Sequence, residues 1–446
     1  MPLTDRHGNA VSTSNRAALD ALDAAGELML AYRDPSAELE AALAAQPDFA
    51  MGHAFRAGLM ALGMERSGVA AAEESIATAW SAPGITEREQ GHLVAAQAWV
   101  EGDFAAAHRL YGGLSAAYPR DLFATQVAHG MDFFLGNAAG LRDRPAAALR
   151  AWKEGESGFA WLHGMMSFGL EECGQYGAAE EAGRRALELQ PGDAWATHAV
   201  AHVMEMQGRD QEGVAFLEQR RADWEPSAVL AVHNNWHQAL FHLERGEFAE
   251  VLRIYDASVA AGVARGTPQP MIEMVDGSAM LWRLLLRGED TGGRFGLLSS
   301  AWEDAEGEGF YAFNDLHAVM AHLGAGREAA AAHVMGAMHA AAEGQGTNAL
   351  LTREVGLPLA EGFMAFARGD YGRAAEILAP TRRHARMFGG SNAQRDVISL
   401  TALEAALRAR QWGLARMLAD ERVAAKPESP LARMLHMRAG SMPRAA

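Results

Sequence analysis

Two kinds of break return along this chain at a fixed interval, and that interval leaves few folds open. Prolines follow short polar stretches at Pro47, Pro83, Pro119, Pro191 and Pro226, in steps of 36, 36, 72 and 35 residues. The long step is halved by a turn at Glu154-Gly155-Glu156. Between the prolines lie glycine breaks at Gly102, Gly136, Gly174, Gly208 and Gly246, in steps of 34, 38, 34 and 38. Two breaks per period of about 35 residues describe a unit of two antiparallel helices repeated along the chain. Alanine is abundant and β-branched residues are sparse, which favours helix over strand. A chain of 446 residues also exceeds what one compact core usually holds, whereas a repeat array has no such ceiling.

Two units carry a more specific signature. Gly102-Asp103-Phe104-Ala105-Ala106-Ala107 is followed by Tyr111 and by Pro119, 17 residues after its glycine. Gly174-Gln175-Tyr176-Gly177-Ala178-Ala179 is followed by Ala186 and by Pro191, again 17 after its glycine. Small residues at Ala107, Ala179 and Ala186 let paired helices approach, and Phe104 and Tyr176 fill the space between pairs. This is the tetratricopeptide pattern, which survives in weaker form at Gly246-Glu247-Phe248 and Gly369-Asp370-Tyr371. Later breaks near Gly288, Gly326, Gly369 and Trp412 are 38 to 43 apart. The expected organisation is a loose segment 1–14, one continuous array 15–438 and a loose tail 439–446. Within the array, 35–262 is the more regular part and 268–438 has longer helices. Residues 265–270 and 387–392 read as turns, with Ser391 or Asn392 capping the helix behind the second.

Three stretches go beyond generic repeat residues. They are Leu162-His163-Gly164-Met165-Met166-Ser167-Phe168-Gly169-Leu170-Glu171-Glu172-Cys173-Gly174, Trp195-Ala196-Thr197-His198-Ala199-Val200-Ala201-His202, and Gly389-Gly390-Ser391-Asn392-Ala393-Gln394-Arg395-Asp396-Val397. With them the chain resembles the tetratricopeptide repeat protein 38 family and its bacterial relatives from about residue 15 to 435. The resemblance implies an all-helical superhelix; the repeat spacing makes the expected all-α fold a right-handed tetratricopeptide-repeat-like α-solenoid of helix pairs, and an array this long is expected to curl and enclose a central cavity. The resemblance also implies that the first helix of each pair faces the concave side. It carries no biochemical role.

Charge and composition exclude several classes of function. The net charge is −17, with no basic cluster to offset it, so a nucleic-acid partner is not expected. The single cysteine, Cys173, rules out an internal disulfide and a cysteine-based zinc site; beside Glu171 and Glu172 it reads as a core thiol. No run is apolar enough for a membrane span, and residues 1–15 lack the apolar core of a signal peptide, so a cytoplasmic protein is expected. Phosphate loops, dinucleotide fingerprints and nucleophile elbows are absent.

The histidines are what remain. His198 and His202 are four apart, as are His233 and His237, and each pair lies 35 residues from its counterpart. Spacing of four puts two rings on one helix face, and helices one repeat apart point equivalent positions the same way. Eleven of the 17 histidines fall on first helices: His53, His92, His129, His163, His198, His202, His233, His237, His242, His317 and His322. Glu205 shares the face of His198 and His202, Glu171 follows His163 by eight, and Asp276 interrupts the apolar stretch M-V-D-G-S-A-M-L-W. Asp315 shares a helix face with His322.

Three readings fit this wall. One is a non-catalytic scaffold whose concave groove binds a peptide or protein. Another is a small-molecule enzyme of hydrolase or lyase-type acid–base chemistry, in which His198, His202, His233 and His237 activate water or shuttle protons while Glu205 and Asp315 orient them. The third is a divalent metal such as Zn²⁺ or Fe²⁺ held by His198, His202, His233 and His237, although there is no H-E-x-x-H motif. The enzyme is preferred, because imidazole and carboxylate concentrate mid-array in place of the Lys, Arg and Asn of a peptide clamp. His129, His163, Glu171, Trp195, Trp236, Asp276, His317 and Arg395 are expected to line the same pocket. The two tryptophans serve chiefly as packing and Arg395 as a possible contact to an acidic ligand. The expected partner is a small polar molecule or a peptide, and a homodimer is compatible with the sequence.

Overall fold

The computed structural model describes residues 3–440, so expectations for 1–2 and 441–446 lie outside the described residues. Among them the fold is all-α, and its one β feature is an isolated bridge between Thr4 and Ala10. No helix among the described residues is long and apolar enough to cross a membrane.

Helices alternate as the breaks require. Arg16–Leu30 is followed by Ser36–Ala45, Ala50–Gly63 by Gly68–Trp80, Glu87–Val100 by Phe104–Ala117, Leu122–Phe134 by Ala138–Ala148, and Ser157–Glu172 by Tyr176–Leu189, each packed on its successor. The starts are chemically marked. Asp103 accepts from Ala106 N (2.9 Å), Asp121 from Ala124 N (2.9 Å), and Thr86 with Glu89, like Ser391 with Gln394, forms a capping box. At the break Gly174 the chain takes φ 73°, cheap only without a Cβ. The equivalent position before Trp412 is Arg410, held at φ 58°, which is why the glycine rhythm fades there while the helix still ends. Gly169 has a different purpose: a Cβ there would lie 2.2 Å from the backbone N of Arg142, so it lets its helix touch the preceding one.

Where one continuous array over 15–438 is expected, packing divides the chain into two compact units. The first comprises Met1–Val200 and Ala222–Ala231, the second Ala201–Arg221 and Val232–Ala446. One border falls inside helix Ala194–Gln207, so it is invisible to any search for linkers.

In the first unit, Ala50–Gly63 packs against both Glu87–Val100 and Leu122–Phe134, the first helices of the next two pairs. Residues 3–14, expected to be loose, are instead tied to this unit. Ser12 N and Oγ donate to Glu89 Oε1 (both 3.0 Å), Arg120 Nε donates to His7 O (2.9 Å), and Arg88 Nη2 donates to Ala10 O (3.3 Å). The partners are 77 to 113 residues away, which is why a polar N-terminal segment read in isolation looks unanchored.

In the second unit the first helices close on one another. Met271–Arg287 touches Ala312–Gly324 and Asn392–Arg408, and Leu357–Ala367 touches the same two. Trp282 and Phe363, both fully buried, meet at 5.0 Å, and Trp282 Nε1 donates to Thr401 Oγ1 (3.0 Å). A late segment of this unit also returns to its earlier helices: Ser429 Oγ donates to the Glu244 carboxylate (2.5 Å), and a Cβ on Gly208 would meet Ser429 N at 2.8 Å.

Candidate functional site

The second unit gathers a polar cluster from four separated stretches. Helix Ala194–Gln207 supplies His202 and, one turn on, Glu205. Helix Val229–Glu244 supplies His233 and His237, again one turn apart, with Trp236 between them. Helix Met271–Arg287 supplies Asp276, and Lys426 follows helix Trp412–Ala425. The His202 and His237 rings lie 4.3 Å apart, and those of His233 and His237 4.9 Å apart and nearly perpendicular. Ring nitrogens of His202, His233 and His237 fall within 4.8 Å of one another. All three side chains are buried.

Two of the rings are clamped from outside. His233 Nδ1 donates to Asp276 Oδ2 (2.6 Å), and His237 Nδ1 donates to Glu205 Oε2 (3.0 Å). A neutral imidazole that donates from Nδ1 carries its lone pair on Nε2, so each carboxylate fixes both the tautomer and the ring's orientation. The other Glu205 oxygen accepts from Lys426 Nζ (3.3 Å). Trp236 lies flat against His233, at 5.2 Å and 12°, and is itself covered by the Arg283 guanidinium at 5.4 Å.

The electrostatics keep these groups in defined states. Burial, reinforced by the nearby His237, pushes His202 well below the ordinary histidine pKa. Burial also lowers His237, against the opposing pull of Glu205. Burial works to raise Glu205, but Lys426 and His237 overcome it and hold the carboxyl well below the usual range. At neutral pH the cluster therefore holds an ionised carboxylate and an ammonium beside the two neutral rings His202 and His237. That composition suits proton abstraction from water or binding of a cation.

The remaining sequence-derived residues divide between the units. His198 falls in the first unit, where its ring packs on Trp195 (4.8 Å) and Phe168 (5.3 Å). His129 packs edge-on against Trp195 (5.7 Å), and burial lowers its pKa to about 4. His163 packs on Phe159 (4.7 Å), and Glu171 is buried in the same unit. In the second unit, Asp315 Oδ1 accepts from Gly309 N (2.9 Å) and fixes the turn before its own helix. The carboxylate on His233 is Asp276. His317 Nδ1 donates to Phe313 O (2.8 Å) one turn back. Arg395 braces the turn through Gly389 O, Gly390 O and Asn392 Oδ1, using donors that an acidic ligand would need. Cys173 is partly buried, donates to Ala138 O (3.3 Å), and has its pKa raised by burial, as suits a packing thiol.

Lys426 is the member that sequence reasoning missed, yet a signal existed. The chain has only two lysines, Lys153 and Lys426, so 37 of its 39 basic residues are arginine. Against that arginine background each lysine is a candidate for a place that wants a compact point charge in place of a planar fork, and Lys426 is the one of the two at this cluster.

No protein-family model matches the chain, so the resemblance to the tetratricopeptide repeat protein 38 family rests on the sequence motifs alone. Among solved structures the chain is similar to human IFIT1, solved as a dimer with m7Gppp-AAAA, at 12% identity over 88% of this chain and 90% of that one, with a TM-score of 0.43. At that level of similarity nothing about function follows.

Proposed function

We propose that this protein is a small-molecule enzyme of hydrolytic, acid–base type, whose reacting groups are His202, His233 and His237 in the second unit. The observation that carries the reading is the pair of carboxylate clamps. Two buried imidazoles each have Nδ1 held by a carboxylate, at 2.6 and 3.0 Å, so that Nε2 is the nitrogen each turns to other chemistry. A scaffold that recognises an extended peptide has no need to bury its polar groups, and these are buried to 7% exposure or less. Burial is what makes acid–base groups effective, because low dielectric strengthens their interactions and water is kept from competing.

In this reading His202, His233 and His237 hold and polarise the attacking water. Asp276 and Glu205 keep two of the rings oriented and stabilise them when they gain positive character. Lys426 holds Glu205 ionised and in place. The substrate is a small polar molecule, the net charge of −17 disfavours nucleic acid, and the expected location is the cytoplasm.

The test is a screen of purified protein against small amides, esters and phosphoesters. Turnover that falls at least a hundredfold in His237→Ala, with the helical circular dichroism retained, supports the reading. No turnover on any class, together with unchanged capture of a protein partner by His237→Ala, returns the chain to the scaffold class.

A further inference from the structure

We infer that His202, His233 and His237 form a mononuclear site for a divalent cation of the zinc class, with Asp276 and Glu205 outside it. The inference deepens the proposed hydrolytic reading by naming how the water is activated, but the site stands on its own geometry.

Three features single out a cation over bare imidazole catalysis. First, three ring nitrogens within 4.8 Å of one another come from two helices that are separate in sequence. A tetrahedral ion with bonds of about 2.1 Å holds its nitrogen ligands about 3.4 Å apart, within reach of small ring rotations. Like rings gain nothing from meeting this closely by themselves, since each brings polar nitrogen into a buried setting. Second, the carboxylates touch Nδ1 of His233 and His237, the outward nitrogen when a cation is held on Nε2, which is the usual outer arrangement around metal-binding histidine. Third, the remaining Glu205 oxygen is occupied by Lys426, so this carboxylate orients a ligand and does not become one. The hydrolytic reading asks for water on the ion beside these three histidines, as at catalytic zinc centres. Trp236, flat against His233, supplies the dry shell that such a centre uses.

The experiment uses the full chain without an affinity tag, stripped with a chelator and titrated with ZnCl₂ by calorimetry and with CoCl₂ by visible absorption. The expected result is one ion per chain, with the intense visible bands of four-coordinate Co²⁺. His202→Ala, His233→Ala and His237→Ala should each weaken binding more than a hundredfold. Asp276→Asn and Glu205→Gln should keep the one-to-one stoichiometry and weaken it about 10–100-fold. If an alanine variant does not fold, the glutamine variant at the same position, closer in volume, takes its place. Less than one ion per chain in the wild type, or undiminished affinity in the three single variants, overturns the site. Stoichiometric binding without turnover leaves the site standing and sinks the hydrolase. Turnover that survives chelation does the reverse.

Discussion

The two units place histidines on first helices at the same repeat phase and use them differently. In the first unit the rings are mostly packing groups. His129 lies against Trp195 and Phe168, and His92, while it donates to Asp121 (2.9 Å), stacks on Phe123 (5.3 Å). In the second unit His233 and His237 each have a carboxylate on Nδ1 and a histidine neighbour within 5 Å. What differs is the set of partners delivered by neighbouring helices. Aromatic rings leave a histidine a core side chain, even where, as at His92, a carboxylate is also present. A carboxylate together with further imidazoles makes an oriented base or ligand. Repeat phase sets where a side chain points and leaves open what it meets.

Substitutions can break this contrast. The largest effect is expected at Lys426, only 4% exposed. Lys426→Met leaves Glu205 buried without its cation and should cost about 3–5 kcal/mol in urea unfolding. A loss under about 1 kcal/mol would show that Glu205 simply takes up a proton. Next come paired changes of one kind in each unit. His237→Leu removes a charge-assisted bond to Glu205 and should cost about 1.5–3 kcal/mol. His129→Leu should be near neutral or stabilising, because both ring nitrogens are buried without a hydrogen-bond partner. Equal costs at the two sites would erase the distinction drawn between the units.

A pH profile sharpens the picture of the first unit. Burial, opposed by backbone N–H donors, raises Asp193 to about 7 from 3.8. The folded state thus keeps a proton that the unfolded state has released, and the stability from this group, full below about pH 4, is lost as pH climbs through 7. His129 runs the other way. Lowered to about 4 from 6.5, it resists a proton that the unfolded chain accepts, so stability is lost as pH falls from 6.5 through 4. The two slopes oppose each other. Asp193→Asn, which keeps a competent helix cap, should therefore gain on the wild type by about 1.4 kcal/mol per pH unit between pH 4 and 7. A constant difference across that range would show that Asp193 titrates normally.

The smallest effect tests the outer helices, where the units should be alike. Gly177 and Gly413 each occupy the second position of a second helix, behind Tyr176 and Trp412, with open space where a Cβ would stand. Alanine at either should add about 0.4–1 kcal/mol. Unequal gains in melting temperature would mean that the units differ in more than their inner walls.

The helices were readable because their causes are local. Caps at Asp103, Thr86 and Ser391, and a left-handed glycine such as Gly174, act within one turn, so spacing in the sequence fixes element after element. The candidate site was half readable for the same reason. His198 with His202, and His233 with His237, follow from a period of four residues, and Asp276 stood out as a carboxylate in an apolar run. The choice between Asp276 and Asp315 as the carboxylate beside the histidines was not readable. Asp276 interrupts an apolar run and Asp315 stands seven residues before His322, and neither signal says which ring it meets; only packing puts one on His233 and the other on the Gly309 turn.

The tertiary structure alone also decided three things about larger distances. The border between the units falls inside the helix that carries His198 and His202, so two histidines one turn apart belong to different cores. Residues 3–14 are held by groups up to 113 positions away. Lys426 reaches Glu205 across 221 residues. The amino-acid sequence determined the repeat, the helices and the face on which imidazole accumulates, since each depends on neighbours within one or two turns. Which charge answers which ring depends on the order in which helices pack, and no short-range rule encodes that order.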